Sequence, residues 1–224
     1  MEITGSVTML AFFAKRVLSR SSGKVVFFSA LWFAVVCFGS FALLGYQNRP
    51  GEANTALKGW PEQSALRLNA HLPTLVLFAH PHCPCTRATL GELELLVARC
   101  SKKLAATVIF TKPTDVDDNW VKTDLWRSAE AIPGVTVLRD DSGIETRRFG
   151  AVTSGDAMLF ACDGKLLFHG GITDARGHAG DNEGRTAIAM LLEEKQGKTT
   201  RTHVFGCRLF AGHSVQPSQS ICPR

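Results

Sequence analysis

Two cysteines one residue apart, with two histidines just before them, make "HPHCPCTRATL", His80 to Leu90, the stretch where side chains could do chemistry. A thiolate attacks a disulfide sulfur, and a second thiol nearby resolves the mixed disulfide that results. Cys83 is the candidate attacker and Cys85 the candidate resolving thiol. His80 and His82 could stabilise a thiolate or carry a proton, because imidazole titrates near neutrality. A Cys-x-Cys disulfide closes a very small ring, and strain in such a ring favours its reduction. Pro84 restricts that ring further by fixing its own φ. A second reading uses the same atoms for a metal: two thiolates and one or two imidazoles suit copper(I) or zinc. Copper held by Cys83, Cys85 and His82 is therefore the alternative, and a structural disulfide or two ordinary thiols is the third reading.

What precedes and follows these residues sets their environment. "TLVLFAH", 74–80, is a continuous apolar run of strand formers, the pattern of a buried strand. "TRATLGELELLVARC", 86–100, then carries Leu90, Leu93, Leu96, Val97 and Cys100 at three- and four-residue spacing, one face of a helix. A cysteine at the start of such a helix meets free backbone N–H groups and the positive dipole end, which favour the thiolate. Further on, "LAATVIFTK" (104–112) and "GVTVLRDD" (134–141) predict strands, 117–132 a helix, and "SGIETRRFGA" a helix or turn. "DAMLFACDGKLLFHGGI", 156–172, predicts a hairpin with a two-residue turn at Asp163-Gly164. The Gly-rich loop 170–184 leads to a closing helix marked by Ala187, Met190 and Leu191, with Asp181 or Asn182 as its cap. In that loop Arg176 and His178 could meet a substrate anion, although a solvated loop is the simpler expectation. Trp120 and Trp126 are expected to pack.

The order is strand, helix, strand, helix, strand, hairpin, helix: an α/β fold with a mixed sheet flanked by helices. Ahead of it, Val25 to Tyr46 carries no charge, and at 1.5 Å per residue it spans roughly 33 Å, enough to cross a bilayer core. Lys15, Arg16, Arg20 and Lys24 against Glu2 concentrate a net +3 of the chain's +5 before it, so the N-terminus is expected in the cytoplasm and the rest exported. The run is longer than the apolar core of a cleaved signal peptide, which favours an inner-membrane anchor. The expected organisation is a basic tip (1–24), a transmembrane anchor (25–46), a stalk (47–73), the folded domain (74–197) and an irregular tail (198–224). The remaining charge of +2, with no basic stripe, argues against nucleic acid. Cys37 falls in the anchor. The other six cysteines would face an oxidising compartment, and six permit fifteen pairings. Cys100 and Cys162 are expected in the core, while Cys207, in "VFGC", could fold back as a third sulfur or bridge to Cys222.

"FAHPHCPCTRATLGEL" and the closing "MLFACDGKLLFHGG" resemble the thioredoxin-like superfamily, in particular its membrane-anchored, exported branch. "GITDARGHAGDNEG" with the late "VFGC" is similar, more distantly, to RedB-like proteins. The resemblance implies a thioredoxin-like fold, with one N-terminal transmembrane helix before it, and thiol–disulfide oxidoreductase activity on exported protein partners, without a cofactor. It implies catalytic roles for Cys83 and Cys85. Two features depart from the family pattern: one residue rather than two separates the sulfurs, and Gly155 stands where a cis-proline is usual. The Pro-x-x-x-Thr-x-x-Cys pattern of thiol peroxidases is not found in the sequence.

Overall fold

The computed structural model describes residues 4–52, 57–194 and 200–210. Two units make up the chain, Met1–Tyr46 and Gln47–Arg224. The first is helical: α1 runs Thr4–Gln47. Its stretch Gly23–Gln47, with a mean hydropathy of 2.2, is long and apolar enough to cross a membrane. Phe38 and Phe41 are more than three-quarters exposed there, as are Phe27, Trp32 and Leu43 in large part. Such a contiguous apolar surface is unfavourable in water and fits a hydrocarbon solvent.

The second unit is built on one mixed sheet. Its elements in order are β1 (Thr74–Ala79), α2 (Cys85–Arg99), β2 (Ala105–Lys112), α3 (Asp124–Glu130), β3 (Val135–Asp141), α4 (Ile144–Arg148), β4 (Asp156–Phe160), β5 (Leu166–Gly170), α5 (Glu183–Glu194) and β6 (Thr200–Arg201). The strand order is β3-β2-β1-β4-β5-β6. β1, β2 and β3 are parallel, β4 runs antiparallel between β1 and β5, and β6 pairs parallel with β5.

β1 is buried along its whole length because both faces of the sheet are covered. Leu75, Leu77 and Ala79 join Leu90, Leu93 and Leu96 of α2 and Ile188 and Leu192 of α5 in one core. Val76 and Phe78 alternate to the other face, with Phe149, Met158, Phe160 and Leu209. This second core also takes in Leu57, Trp60, Leu66 and Leu68. Trp60 meets the Phe149 and Phe160 rings edge-on at 5.1 Å each. Ser64 donates to Glu145 at 2.6 Å, and Gly59 bridges to Lys165. The described part of the segment expected as a stalk is therefore a layer of the domain, drawn in by its spaced aromatic and leucine side chains.

Other expectations need correction. Cys162 is exposed, because β4 ends at Phe160 after a register irregularity at Leu159/Phe160 and leaves Cys162 in the turn. That turn is longer than two residues: Ala161 N–H donates to the Lys165 carbonyl at 2.9 Å and Gly164 N–H to the Ala161 carbonyl at 2.9 Å. Among non-glycine residues described, Asp163 does not take the positive φ a two-residue primed turn requires; Gly164 alone takes it, at +84°. Residues 117–132 divide into a 3₁₀ turn, Asp118–Trp120, and α3, each with its own cap, Asp117 and Thr123. Met190 is half-exposed rather than inward; Ile188, Ala189 and Leu192 line the core side of α5 instead. Asn182 caps that helix, accepting from Arg185 N–H at 2.7 Å. Residues 200–210 add the two-residue β6 and are otherwise irregular, as expected, but they pack along the domain and Arg208 bridges to Thr153. Cys222 lies outside the described residues.

Replacing Trp60 by alanine is expected to destabilise the chain by about 2 kcal/mol, less than for a fully buried aromatic because Trp60 is only partly buried against the second core. Chemical unfolding of the full chain in detergent checks this; an independent stalk would show almost no change.

Candidate functional site

β1 ends at Ala79 and the chain turns once before α2, with Cys83 N–H donating to the His80 carbonyl at 3.1 Å. Pro84 is the N-cap residue of α2 in helical geometry (φ −62°, ψ −27°), and Cys85 is the first residue of the helix. Proline suits a helix start because its missing N–H would have no intrahelical partner there. Cys83 thus sits just outside the helix with its sulfur facing the first N–H groups, and the residue is 1% exposed.

Burial pushes the Cys83 thiol up, but hydrogen bonds from the Cys207 side chain and from the backbone N–H groups of Cys207, Cys85 and Thr86 outweigh it. The net direction is down, toward a thiolate. Its sulfur lies 2.9 Å from Cys207 Sγ, and both thiols are free. When Cys83 is ionised, Cys207 is the partner with a proton to donate. Burial pushes the Cys207 thiol up, Cys83 and Cys85 add to this, and it reaches about 12. Burial also pushes Cys85 up, reinforced by the Cys83 charge and opposed by Arg176. One sulfur is therefore poised to be the anion, and two stay protonated around it.

The segment carrying Cys207 is held by backbone geometry. Ser154 N–H donates to the Cys207 carbonyl at 2.8 Å, Leu209 N–H to the Val152 carbonyl at 2.9 Å, and Thr153 bridges to Arg208. Gly206 permits this approach, since a Cβ there would lie 1.9 Å from the Ser154 carbonyl oxygen. Ser154 Oγ accepts from His80 N–H at 2.9 Å and meets Thr86 Oγ1 at 3.0 Å. Gly155 follows with φ +92°, and its N–H donates to the Phe78 carbonyl at 2.8 Å. No cis peptide occurs among the described residues. Residues 153–155 thus join β1, α2 and the Cys207 segment.

His80 and His82 flank the opposite side. His80 is driven toward the neutral form by burial first and the His82 charge second. Its Nδ1 accepts from His82 N–H at 3.1 Å. The exposed His82 ring lies 4.5 Å from that of Trp120, and its Nε2 is 2.9 Å from the Trp120 carbonyl oxygen. Nε2 therefore carries the proton and is engaged by the Trp120 carbonyl. Trp120 does more than pack: it also meets His80, at 5.5 Å between centroids. Among the described residues no group of three or more His, Cys, Asp or Glu is arranged to hold a metal ion.

Arg176 is a further departure from the expected solvated loop. Its guanidinium donates to the Gly206 carbonyl and, through Nε, to the Arg49 carbonyl at 3.2 Å, and its charge reaches Cys85 and Cys207. His178, by contrast, is exposed. The loop is pinned elsewhere by buried Glu92, which takes Arg185 at 2.8 Å, Gly180 N–H at 2.7 Å and Asn182 Nδ2 at 3.0 Å. Sequence inspection passes over Ser154 and Glu92; nothing local distinguishes Ser154, and a glutamate within the apolar face of α2 is the one hint of Glu92.

No family model matches this chain, and no curated protein matches it. Among solved structures, a hypothetical protein of Sinorhizobium meliloti 1021 is 22% identical, with a TM-score of 0.55 over 71% of this chain and 98% of that one. An uncharacterized conserved protein of Geobacillus kaustophilus is 19% identical, with a TM-score of 0.53 over 75% and 95%. A secreted Mycobacterium tuberculosis disulfide oxidoreductase homologous to Escherichia coli DsbE is also similar at 15% identity, with a TM-score of 0.40 over 57% and 84%. At these identities the likeness concerns the fold alone. Three parallel strands, an antiparallel hairpin and helices on both faces, behind one apolar N-terminal helix, make the fold of this chain thioredoxin-like.

Proposed function

We propose that this chain is a membrane-anchored thiol–disulfide oxidoreductase acting on the thiols and disulfides of exported protein partners. The observation that carries the reading is the Cys83 sulfur, buried at the start of α2 among N–H and S–H donors, with a second thiol 2.9 Å away. Donors that favour a thiolate also make it a good leaving group, so the sulfur suits exchange in either direction. Cys85, next but one in sequence, and Cys207, adjacent in space, complete a centre of three sulfurs. α1 serves as the anchor, and the basic residues before Val25 put the N-terminus in the cytoplasm and Gln47–Arg224 in the exported compartment. An oxidising compartment is where such sulfurs can cycle.

The full chain in detergent should exchange with a small disulfide, and Cys83→Ser should lower that rate by at least about a thousandfold, as for removal of a reacting group. An undiminished rate in that variant sinks the proposal. His82→Ala should slow exchange without abolishing it. If instead His82→Ala abolishes copper(I) binding measured by competition with a chelator, the copper reading replaces this one.

A pH titration tests the electrostatics separately. Thiolate ultraviolet absorbance, taken as the difference between the full chain and Cys83→Ser, should show Cys83 ionising below an ordinary thiol. Cys207→Ala removes a donor to the anion, so the midpoint should move to higher pH. An unmoved midpoint would mean that Cys207 does not stabilise the charge.

A further inference from the structure

The three sulfurs are not equivalent, and their placement distinguishes which two form the working bond. Cys83 lies before α2 and Cys85 is its first residue, with Pro84 in helical geometry between them, and the Cys85 thiol lies within side-chain hydrogen-bonding reach of Cys83. Thr86 N–H already closes the first turn onto the Cys83 carbonyl at 3.0 Å, and Arg87 N–H onto Pro84 at 3.3 Å. A bond between these two neighbouring sulfurs would close a very small ring through Pro84, whose φ is fixed, and would strain this turn. The Cys207 sulfur needs no such change. It lies 2.9 Å from Cys83 Sγ, and a bond of about 2.05 Å requires a shift of roughly 1 Å.

Exposure then divides the roles. Cys83 is 1% exposed, while Cys207 is only partly buried. We infer that the working disulfide of this chain joins Cys83 to Cys207, and that an incoming partner thiol attacks Cys207, with buried Cys83 as the leaving sulfur. The inference rests on the oxidoreductase reading above.

A partner cysteine, having lost its proton to solvent, attacks Cys207 Sγ. A partner–Cys207 bond forms and the Cys83–Cys207 bond breaks, its electron pair leaving on Cys83. That thiolate is received by the N–H groups of Cys85 and Thr86, which surround it already. The partner's second thiolate then attacks its own sulfur in the mixed disulfide. The partner disulfide forms, and Cys207 departs and takes up a proton. The partner loses two electrons and the Cys83–Cys207 pair gains them. Of the partner's two protons one ends on Cys207 and the other in solvent. A disulfide-bearing donor restores the bridge by the same steps reversed, and the reverse sequence also reduces a partner disulfide. Cys85 is then a positioning thiol: it faces the Cys83 charge on one side and Arg176 on the other.

Attack at the exposed sulfur with departure of the more acidic one is the order that exchange kinetics favour. Arg176 adds to it, because its hydrogen bond to Gly206 steadies the residue next to Cys207.

The test equilibrates the full chain in detergent with glutathione buffers, traps free thiols with an alkylating reagent and maps disulfide-linked peptides. A Cys83–Cys207 peptide should dominate, persist in Cys85→Ala and disappear in Cys207→Ala. In Cys83→Ser, glutathione should be trapped on Cys207. Cys85→Ala leaves the 200–210 segment untouched, so its result stands even if Cys207→Ala folds poorly. A reversible Cys83–Cys85 bridge that survives in Cys207→Ala overturns the inference while leaving the oxidoreductase reading intact. A Cys207–Cys222 bridge does the same if Cys83 still exchanges with glutathione. If Cys83 enters no reversible disulfide in any buffer, the oxidoreductase reading falls as well.

Discussion

A buried sulfur can hold a negative charge only where donors replace the water it has lost, and Cys83 is surrounded on that condition. Burial alone would keep its thiol protonated, and the opposing donors come from two places far apart in sequence: the first N–H groups of α2 and the backbone and side chain of Cys207. The first set follows from starting a helix at Cys85, since helix starts leave N–H groups free. The second exists because the segment after β6 returns across the end of β1. Removing either would move the thiol back toward the protonated form.

The return of that segment depends on contacts that bear no catalytic signature. Gly51 N–H donates to the Val204 carbonyl at 2.8 Å, Thr202 Oγ1 to the Gly171 carbonyl at 2.8 Å, and Arg208 pairs with Glu52. Gly171 and Gly206 have no room for a Cβ, because backbone of residues 203–204 and 154 lies against them. Close backbone approach of this kind trades side-chain packing for direct hydrogen bonding. The residues before the sheet and those after it thus hold each other near the sulfurs, so the domain boundary lies well outside the strand–helix core.

Buried polar pairs do similar work inside the fold. Glu92 projects from α2 into the loop 176–182 and is met by Arg185, Gly180 and Asn182, which fix where that loop and α5 begin. Asp156 and His169, on the paired strands β4 and β5, contact at 3.0 Å in nearly complete burial. Neither arrangement is a strong source of stability, because desolvation offsets much of the attraction. Their effect is geometric: Glu92 ties α2 to the loop 180–182 and the start of α5, and Asp156–His169 ties β4 to β5.

Much of the fold was legible in the sequence because its signals are local. A continuous apolar run becomes a strand covered on both faces, leucines at three- and four-residue spacing become the inner face of α2, and an uncharged stretch of membrane length becomes an apolar helix. Caps decided the boundaries: Asp117 and Thr123 divide one expected helix into a 3₁₀ turn and α3, and Asn182 sets the start of α5. Cys162 and Met190 were misjudged because alternation and spacing do not reveal where a strand bends or a helix turns its face. The segment before β1 was misjudged because Trp60, Leu66 and Leu68 show no regular period. At the site, the sequence by itself determined the types and order of the reactive groups: two thiols and two imidazoles between a buried strand and a helix. Their partners came from the packing of distant segments, which sets Cys207 on Cys83, Arg176 beside Cys85, and His82 on Trp120. The physical reason is that a helix start is specified by neighbours along the chain, whereas the pairing of sulfurs 124 residues apart depends on how distant backbone segments satisfy one another's hydrogen bonds.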